Sequence, residues 1–147
     1  MSAVPRWGPE YEFGIDDVDA QHRALADVLD RMRLCMGHCA GSSELGSLLA
    51  ELEARTVHHF RSEEQTMAAE AFPGLEPHCA NHRAFERRVR ETHQLHRDGR
   101  FVRLPTVSLL QGWLFEHIDR ADREFSDYLH ARRQPGYSLA RLFGRSA

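Results

Sequence analysis

His59 and Glu63 stand four residues apart, which on a helix is about 40° around and one turn along, so both side chains share a face. His78 and His82 repeat the spacing, and Asp19/His22 and His117/Asp122 add two further His-plus-Asp neighbourhoods. Helices carrying these residues can aim them at one shared point, and the chemistry of such a point is metal binding. Taken together, His22, His59, Glu63, His78, His82, His117 and Asp122 are five imidazoles and two carboxylates. One tetrahedral zinc uses four ligands, so the set better fits two six-coordinate ions bridged by the carboxylates, with a coordination position left over. Imidazole suits Fe, Cu, Ni and Zn while carboxylate favours harder ions, which inclines a mixed set to iron. The competing reading is a hydrogen-bonded polar core; without a metal it would leave several buried groups unsatisfied.

Four helices are needed to position these residues. His22, Leu25, Val28, Leu29, Met32 and Cys35 or Met36 recur at three- and four-residue steps, an amphipathic stripe that Asp16 or Asp17 can cap. Gly41-Ser42-Ser43 ends that helix and supplies a cap for the next. Leu45, Leu49, Leu52, Thr56, His59 and Glu63 step 4, 3, 4, 3, 4, the seam of a helix packed on neighbours. The apolar seam thus turns into ligands without changing face, and a buried glutamate there calls for a cation. Phe72-Pro73-Gly74 breaks the helix, and Pro77 suits the first turn of a third. His78, His82, Phe85, Val89 and Thr92 form its seam, and Asp98-Gly99-Arg100 its stop. Pro105 opens a fourth, with Leu110, Trp113 or Leu114, His117, Ala121, Phe125 and Tyr128 or Leu129 inward, ended by Pro135-Gly136. Nothing reads as a strand. The expectation is an all-α, antiparallel up-down-up-down four-helix bundle, with an irregular N-terminal arm at 1–16, the bundle at 17–131 and a short tail at 132–147.

The chain of 147 residues reads as a single domain, long enough to bury a core. Its net charge of -3 makes no bulk electrostatic case for nucleic acid or an anionic membrane. All 19 basic residues are Arg, which excludes a Schiff-base or P-loop lysine. No signal peptide or membrane span is evident, and three cysteines argue against a secreted disulfide framework. A reducing cytoplasm is expected.

The ordered pattern Ile15-Asp16…Asp19-Ala20-Gln21-His22, His59-Phe60-x-x-Glu63-Glu64…Met67, His78-x-x-x-His82-x-x-Phe85 and Trp113-Leu114-x-x-His117-Ile118-x-x-x-Asp122 resembles the bacterial hemerythrins, from Trp7 to about residue 130. The resemblance implies a hemerythrin-like domain over 1–131 with a non-haem di-iron site (Fe2+/Fe3+). One iron would take His78, His82 and His117, the other His22 and His59. Glu63, Asp122 and an oxo or hydroxo group would bridge them. The vacancy on the two-histidine iron would bind dioxygen, within walls resembling Leu25, Phe60, Trp113, Leu114 and Ile118. The implied role is carrier, store or sensor, with no catalytic residue. The alternative is a di-iron redox enzyme acting on peroxide, nitric oxide or a small substrate. Ferritin-like di-iron enzymes use more carboxylates, including Glu-x-x-His motifs, which favours binding.

His117 and Asp122 are five apart, about 140° around an ideal helix. Either a π-like turn intervenes or Asp122 reaches across the seam; failing both, Asp119 or Asp122 merely caps or solvates the helix. His38, His58, His93 and His130 read as solvated, with His96 buried at the far end. Cys35, Cys39 and Cys79 read as packing thiols and Arg87-Arg88-x-Arg90 as a solvated face. The tail, with Arg132, Arg133, Arg141 and Arg145 around Tyr137, Leu139, Leu142 and Phe143, reads as a short helix packed back on the bundle or as disorder, with a docking peptide for a protein partner as the functional alternative.

Overall fold

A computed structural model describes residues 4–38 and 43–133. The helices are α1 (Asp16–His38), α2 (Ser43–Ala69), α3 (Leu75–Arg97), α4 (Leu104–His117) and α5 (Arg123–Arg133). A π-helical turn, Ile118–Asp122, joins α4 to α5 so that they run as one rod. The neighbours are α1 with α2, α2 with α3, α3 with α4, and α4 with α1, so the four rods form an up-down-up-down ring. Among the described residues there is no strand, and no helix is long and apolar enough to cross a membrane.

The inward seams are those that periodicity marks. His22, Leu25, Val28, Leu29 and Met32 on α1, and Leu45, Leu49, Leu52, Thr56, His59 and Glu63 on α2, are all buried. So are His78, His82, Phe85, Val89 and Thr92 on α3. The apolar ones gather into two clusters. The larger runs from Leu25 to Cys35, Leu45 to Phe60, Phe85 to Val89 and Val102 to Ile118. The smaller joins Met67, Phe72, Phe125, Tyr128 and Leu129. On α2 and on the rod formed by α4 and α5 the polar seam residues fall where the larger cluster gives way to the smaller in chain order, and on α3 they follow Phe72 of the smaller and precede Phe85 of the larger.

The helix ends are set by local chemistry. Asp19 closes the start of α1, rather than Asp16 or Asp17, which sit exposed in the first turn. Its carboxylate accepts the amides of Phe13 at 2.8 Å and Gly14 at 3.0 Å, with Gly14 at φ 76. The arm is otherwise irregular apart from a 3-10 turn at Pro9–Tyr11. Arg123 donates to the Glu10 carbonyl at 2.6 Å and stacks its guanidinium over the Phe13 ring. At the other end of α3, Gly99 takes φ 72 and the Arg100 amide returns to the Leu95 carbonyl at 2.9 Å, the Schellman closure that Asp98-Gly99-Arg100 suggests. Gly41, Ser42, Cys39, the tail from 134 and the side chain of His38 lie outside the described residues.

The same closure ends α2 with a different residue. The Phe72 amide bonds the Met67 carbonyl at 2.9 Å, and the left-handed position is Ala71, at φ 53. Tyr128 donates to the carbonyls of Glu70 at 2.6 Å and Ala71 at 3.1 Å, and Arg132 also donates to Glu70. A left-handed alanine costs about 1–2 kcal/mol, whereas glycine's greater loss of freedom on folding costs roughly 0.5–1 kcal/mol. Ala71→Gly is therefore expected to stabilise the chain by about 0.5–1 kcal/mol, read from denaturant melts; a lower midpoint would contradict it.

Candidate metal centre

The π turn decides where Asp122 points. The Arg123 amide bonds back to the Ile118 carbonyl, five residues earlier, so this turn holds one residue more than an α turn. The extra residue brings Asp122 onto the face of His117: their Oδ1 and Nε2 lie 3.0 Å apart. Ala121, inward by a strict three-and-four count, is instead half-buried. Of the readings open for this helix, the π turn is the one realised, and Asp122 is neither a cap nor solvated.

Seven polar side chains from four rods meet here, none more than 6% exposed: His22, His59, Glu63, His78, His82, His117 and Asp122. Their atoms form two groups that share Asp122, one with His78, His82 and His117, the other with His22, His59 and Glu63. Asp122 is split between them. Its Oδ2 lies 3.0 Å from His22 Nε2, while its Oδ1 lies 3.0 Å from the Nε2 atoms of His78 and His117. Glu63 is split as well, Oε2 at 3.0 Å from His59 Nε2 and Oε1 at 3.2 Å from His78 Nε2. His82 and His117 bring their Nε2 atoms to 3.1 Å.

These contacts are short, yet most are not hydrogen bonds. The Nε2 atoms of His22, His59 and His78, Oε2 of Glu63 and both oxygens of Asp122 are buried with no aligned partner. They aim at common points rather than at one another. Two ligands at right angles on bonds of about 2.1 Å stand roughly 3 Å apart, which is the spacing found. The residues therefore fit two metal ions, three imidazoles facing one position and two the other, with a carboxylate oxygen from each acid available to either side.

The electrostatics agree. Burial works to lower the His78 pKa, but Asp122 and Glu63 outweigh it and raise it from 6.5 to about 9. Burial dominates at His82 and, with His117 and His78 adding to it, lowers the pKa to about 2. Burial alone would raise Asp122, but the His117, His22 and His78 contacts hold it well below the usual carboxylate range. Positive charge is thus favoured at His78, between the two acids, and the neutral ring at His82.

Leu25, Phe60, Leu114 and Ile118 are buried, and Trp113 is half-buried, stacked on His117 at 4.6 Å and on Phe85 at 4.4 Å. Phe60 lies flat on His82 at 3.7 Å. Asp19, which the spacing pairs with His22, turns away to the arm, and its neighbour Gln21 enters instead: its Oε1 accepts from His59 Nδ1 at 2.6 Å. Glu64 plays the same part for His82 Nδ1 at 2.8 Å. Of the histidines expected in solvent, His58 is exposed. His93 is half-buried and 2.6 Å from Glu53, and His130 is exposed but holds the Phe13 carbonyl at 2.8 Å. His96 is half-buried, Cys35 buried and Cys79 half-buried, and Arg87, Arg88 and Arg90 are exposed.

The Hemerythrin HHE cation binding domain family matches residues 14–129. A bacteriohemerythrin of Stenotrophomonas maltophilia is 27% identical over 149 residues, covering 94% of this chain and 97% of its own. A myohemerythrin of Riftia pachyptila is 28% identical over 123 residues, covering 84% and 92%. A solved crystal structure of a mutant protein superposes with a TM-score of 0.79 at 23% identity, over 88% of this chain and all of that one; it supports the four-helix fold.

Stripped of metal with a chelator, the chain is expected to be most stable near pH 6.5. His78 has its folded pKa raised from 6.5 to about 9, so the stability its proton provides is lost as pH rises across that window. His82 has its folded pKa lowered to about 2, so below 6.5 the unfolded chain binds a proton the fold refuses, and stability falls again. Thermal melts of the stripped protein across pH check this; a melting temperature that climbs from pH 6.5 to 9 would contradict it.

Proposed function

Because the chain belongs to the hemerythrin family, we propose that it binds dioxygen reversibly at a non-haem di-iron centre, as a carrier, store or sensor rather than as an enzyme. The observation that carries this reading is the division of Glu63 and Asp122, each offering one oxygen to either half of the seven-ligand cluster. His78, His82 and His117 would hold one iron, His22 and His59 the other, and the two acids would bridge. When bound, the iron pair supplies reversible two-electron chemistry toward dioxygen.

The chain's own part is to orient, to exclude and to discriminate. Five imidazoles and two carboxylates would supply the ligands, three imidazoles to one ion and two to the other, and the side with fewer would leave room for a diatomic molecule. Leu25, Phe60, Leu114 and Ile118, all buried, would keep water from the cluster, Phe60 lying against His82 and Trp113 bridging α3 and α4 through its stacks on Phe85 and His117. A dry wall matters because reversible binding requires that no second reactant or bulk proton source reach the gas. The histidine-rich set, with no Glu-x-x-His among the seven, supports binding over oxidation. The three cysteines, read as thiols, support a reducing cytoplasm.

Purified protein is expected to carry two irons per chain and to show a visible band that fades under vacuum and returns with air. Consumption of oxygen or peroxide over many turnovers with a reductant would instead mark a redox enzyme. Glu63→Ala, which removes one bridge, is expected to lose iron, measured as metal per chain; a full two-iron load in that variant would refute the bridging role.

A further inference from the structure

The two halves of the cluster are not equally supported from behind. His82 Nδ1 lies 2.8 Å from Glu64, and Glu64 is gripped by Arg83 at 2.5 and 2.6 Å. Arg83 also reaches Glu86 at 2.5 Å. Glu86, only 3% exposed, takes the Arg61 guanidinium on both oxygens at 3.0 and 3.2 Å. Arg61 then returns to Glu64 at 3.4 Å. Two carboxylates and two guanidiniums thus close into a ring, and the ring is fastened to one imidazole. Among the described residues the other half has nothing comparable. His59 Nδ1 meets the neutral amide oxygen of Gln21. His22 Nδ1 is buried with no partner, its ring packed against those of Phe13 and Trp7.

An imidazole that gives its Nε2 lone pair to a metal carries its proton on Nδ1. The acceptor behind that proton fixes the tautomer, aims the ring and raises its basicity. A carboxylate does this more strongly than an amide, and a buried donor with no acceptor gains none of it. Arg61 and Arg83 hold the Glu64 oxygens against rotation, so the acceptor is already in place before any ion arrives.

On the di-iron reading above, we propose that Glu64, locked in the Arg61–Glu86–Arg83 ring, is a positioning residue that makes the His78/His82/His117 position the tighter of the two. The chain then loads in order, that position first and the His22/His59 position second, and the second ion is the one it gives up first. A ring that served only as surface ion pairing would have a small effect on stability and none on loading order, since Arg61 and Arg83 are themselves solvent-exposed at 44% and 39% and such pairs are weak.

The test is an anaerobic titration of the full, chelator-stripped chain with Co2+, followed by visible absorption and by the paramagnetically shifted ring N–H signals. The expected result is two resolved steps, with the His82 Nδ1–H shifted at one equivalent. Loss of such a supporting acceptor weakens metal binding on the order of 10–100-fold, so Glu64→Gln should weaken the first step by about that factor, leave the second unchanged and bring the two together. Arg83→Gln should act in the same direction, more weakly. Gln21→Glu, which places a carboxylate behind His59, should tighten the second step and narrow the gap without disturbing the ring. Two ions that enter in one unresolved step, or a first step indifferent to both Glu64→Gln and Arg83→Gln, would overturn the proposed order while leaving the two-ion reading intact. A chain that takes up a single Co2+ would overturn both.

Discussion

Two carboxylates and five imidazoles held away from water form an arrangement that a four-helix protein cannot tolerate without compensating positive charge. An ionised acid in a dry interior must be paired or coordinated. Here the acids are bracketed by ring nitrogens at 3.0–3.2 Å that do not align as hydrogen-bond donors. The proton that His78 retains to about pH 9 is the cation nearest to hand, and it satisfies only part of the cluster. The remaining features serve this demand: the seams that deliver ligands, the turn that re-aims Asp122, and the hydrocarbon on either side.

Much of this was legible in the residue order, because helix periodicity reports directly which side chains point inward. The α2 seam from Leu45 to Glu63 keeps one face throughout, and no tertiary knowledge was needed to see it. The fourth rod was harder. A five-residue step between His117 and Asp122 conflicts with α geometry, and the conflict itself pointed to a local irregularity, which is the π turn. Its side effect, leaving Ala121 only half-buried, could not be read by counting in threes and fours.

What stayed invisible depends on pairs far apart in sequence. Glu64 with Arg83, Arg61 with Glu86, Gln21 with His59 and Glu53 with His93 are 19 to 40 residues apart, and no periodic signal links them. Glu86 sits among arginines in a stretch that reads as a solvated face, yet it is buried because Arg61 from α2 comes across to meet it. Asp19 misled for the opposite reason. Its spacing from His22 suits a ligand pair, but the arm presents two amides closer at hand. His93 and His130 likewise found partners, one on α2 and one on the arm, that composition alone does not predict.

The arm has a further consequence through its attachments. It is held by Asp19 on α1 and by Arg123 and His130 on α5, with Phe13 bonded to both Asp19 and His130, so it ties the first helix to the last rod. Asp122, the acid common to both halves of the cluster, also comes from that last rod. During synthesis the first three helices therefore emerge with His22, His59, Glu63, His78 and His82 but without the acid that joins the two sets. Nascent chains have no complete nest for a pair of ions until the final rod has left the ribosome. A chain that stops short of Asp122 lacks the carboxylate common to both groups.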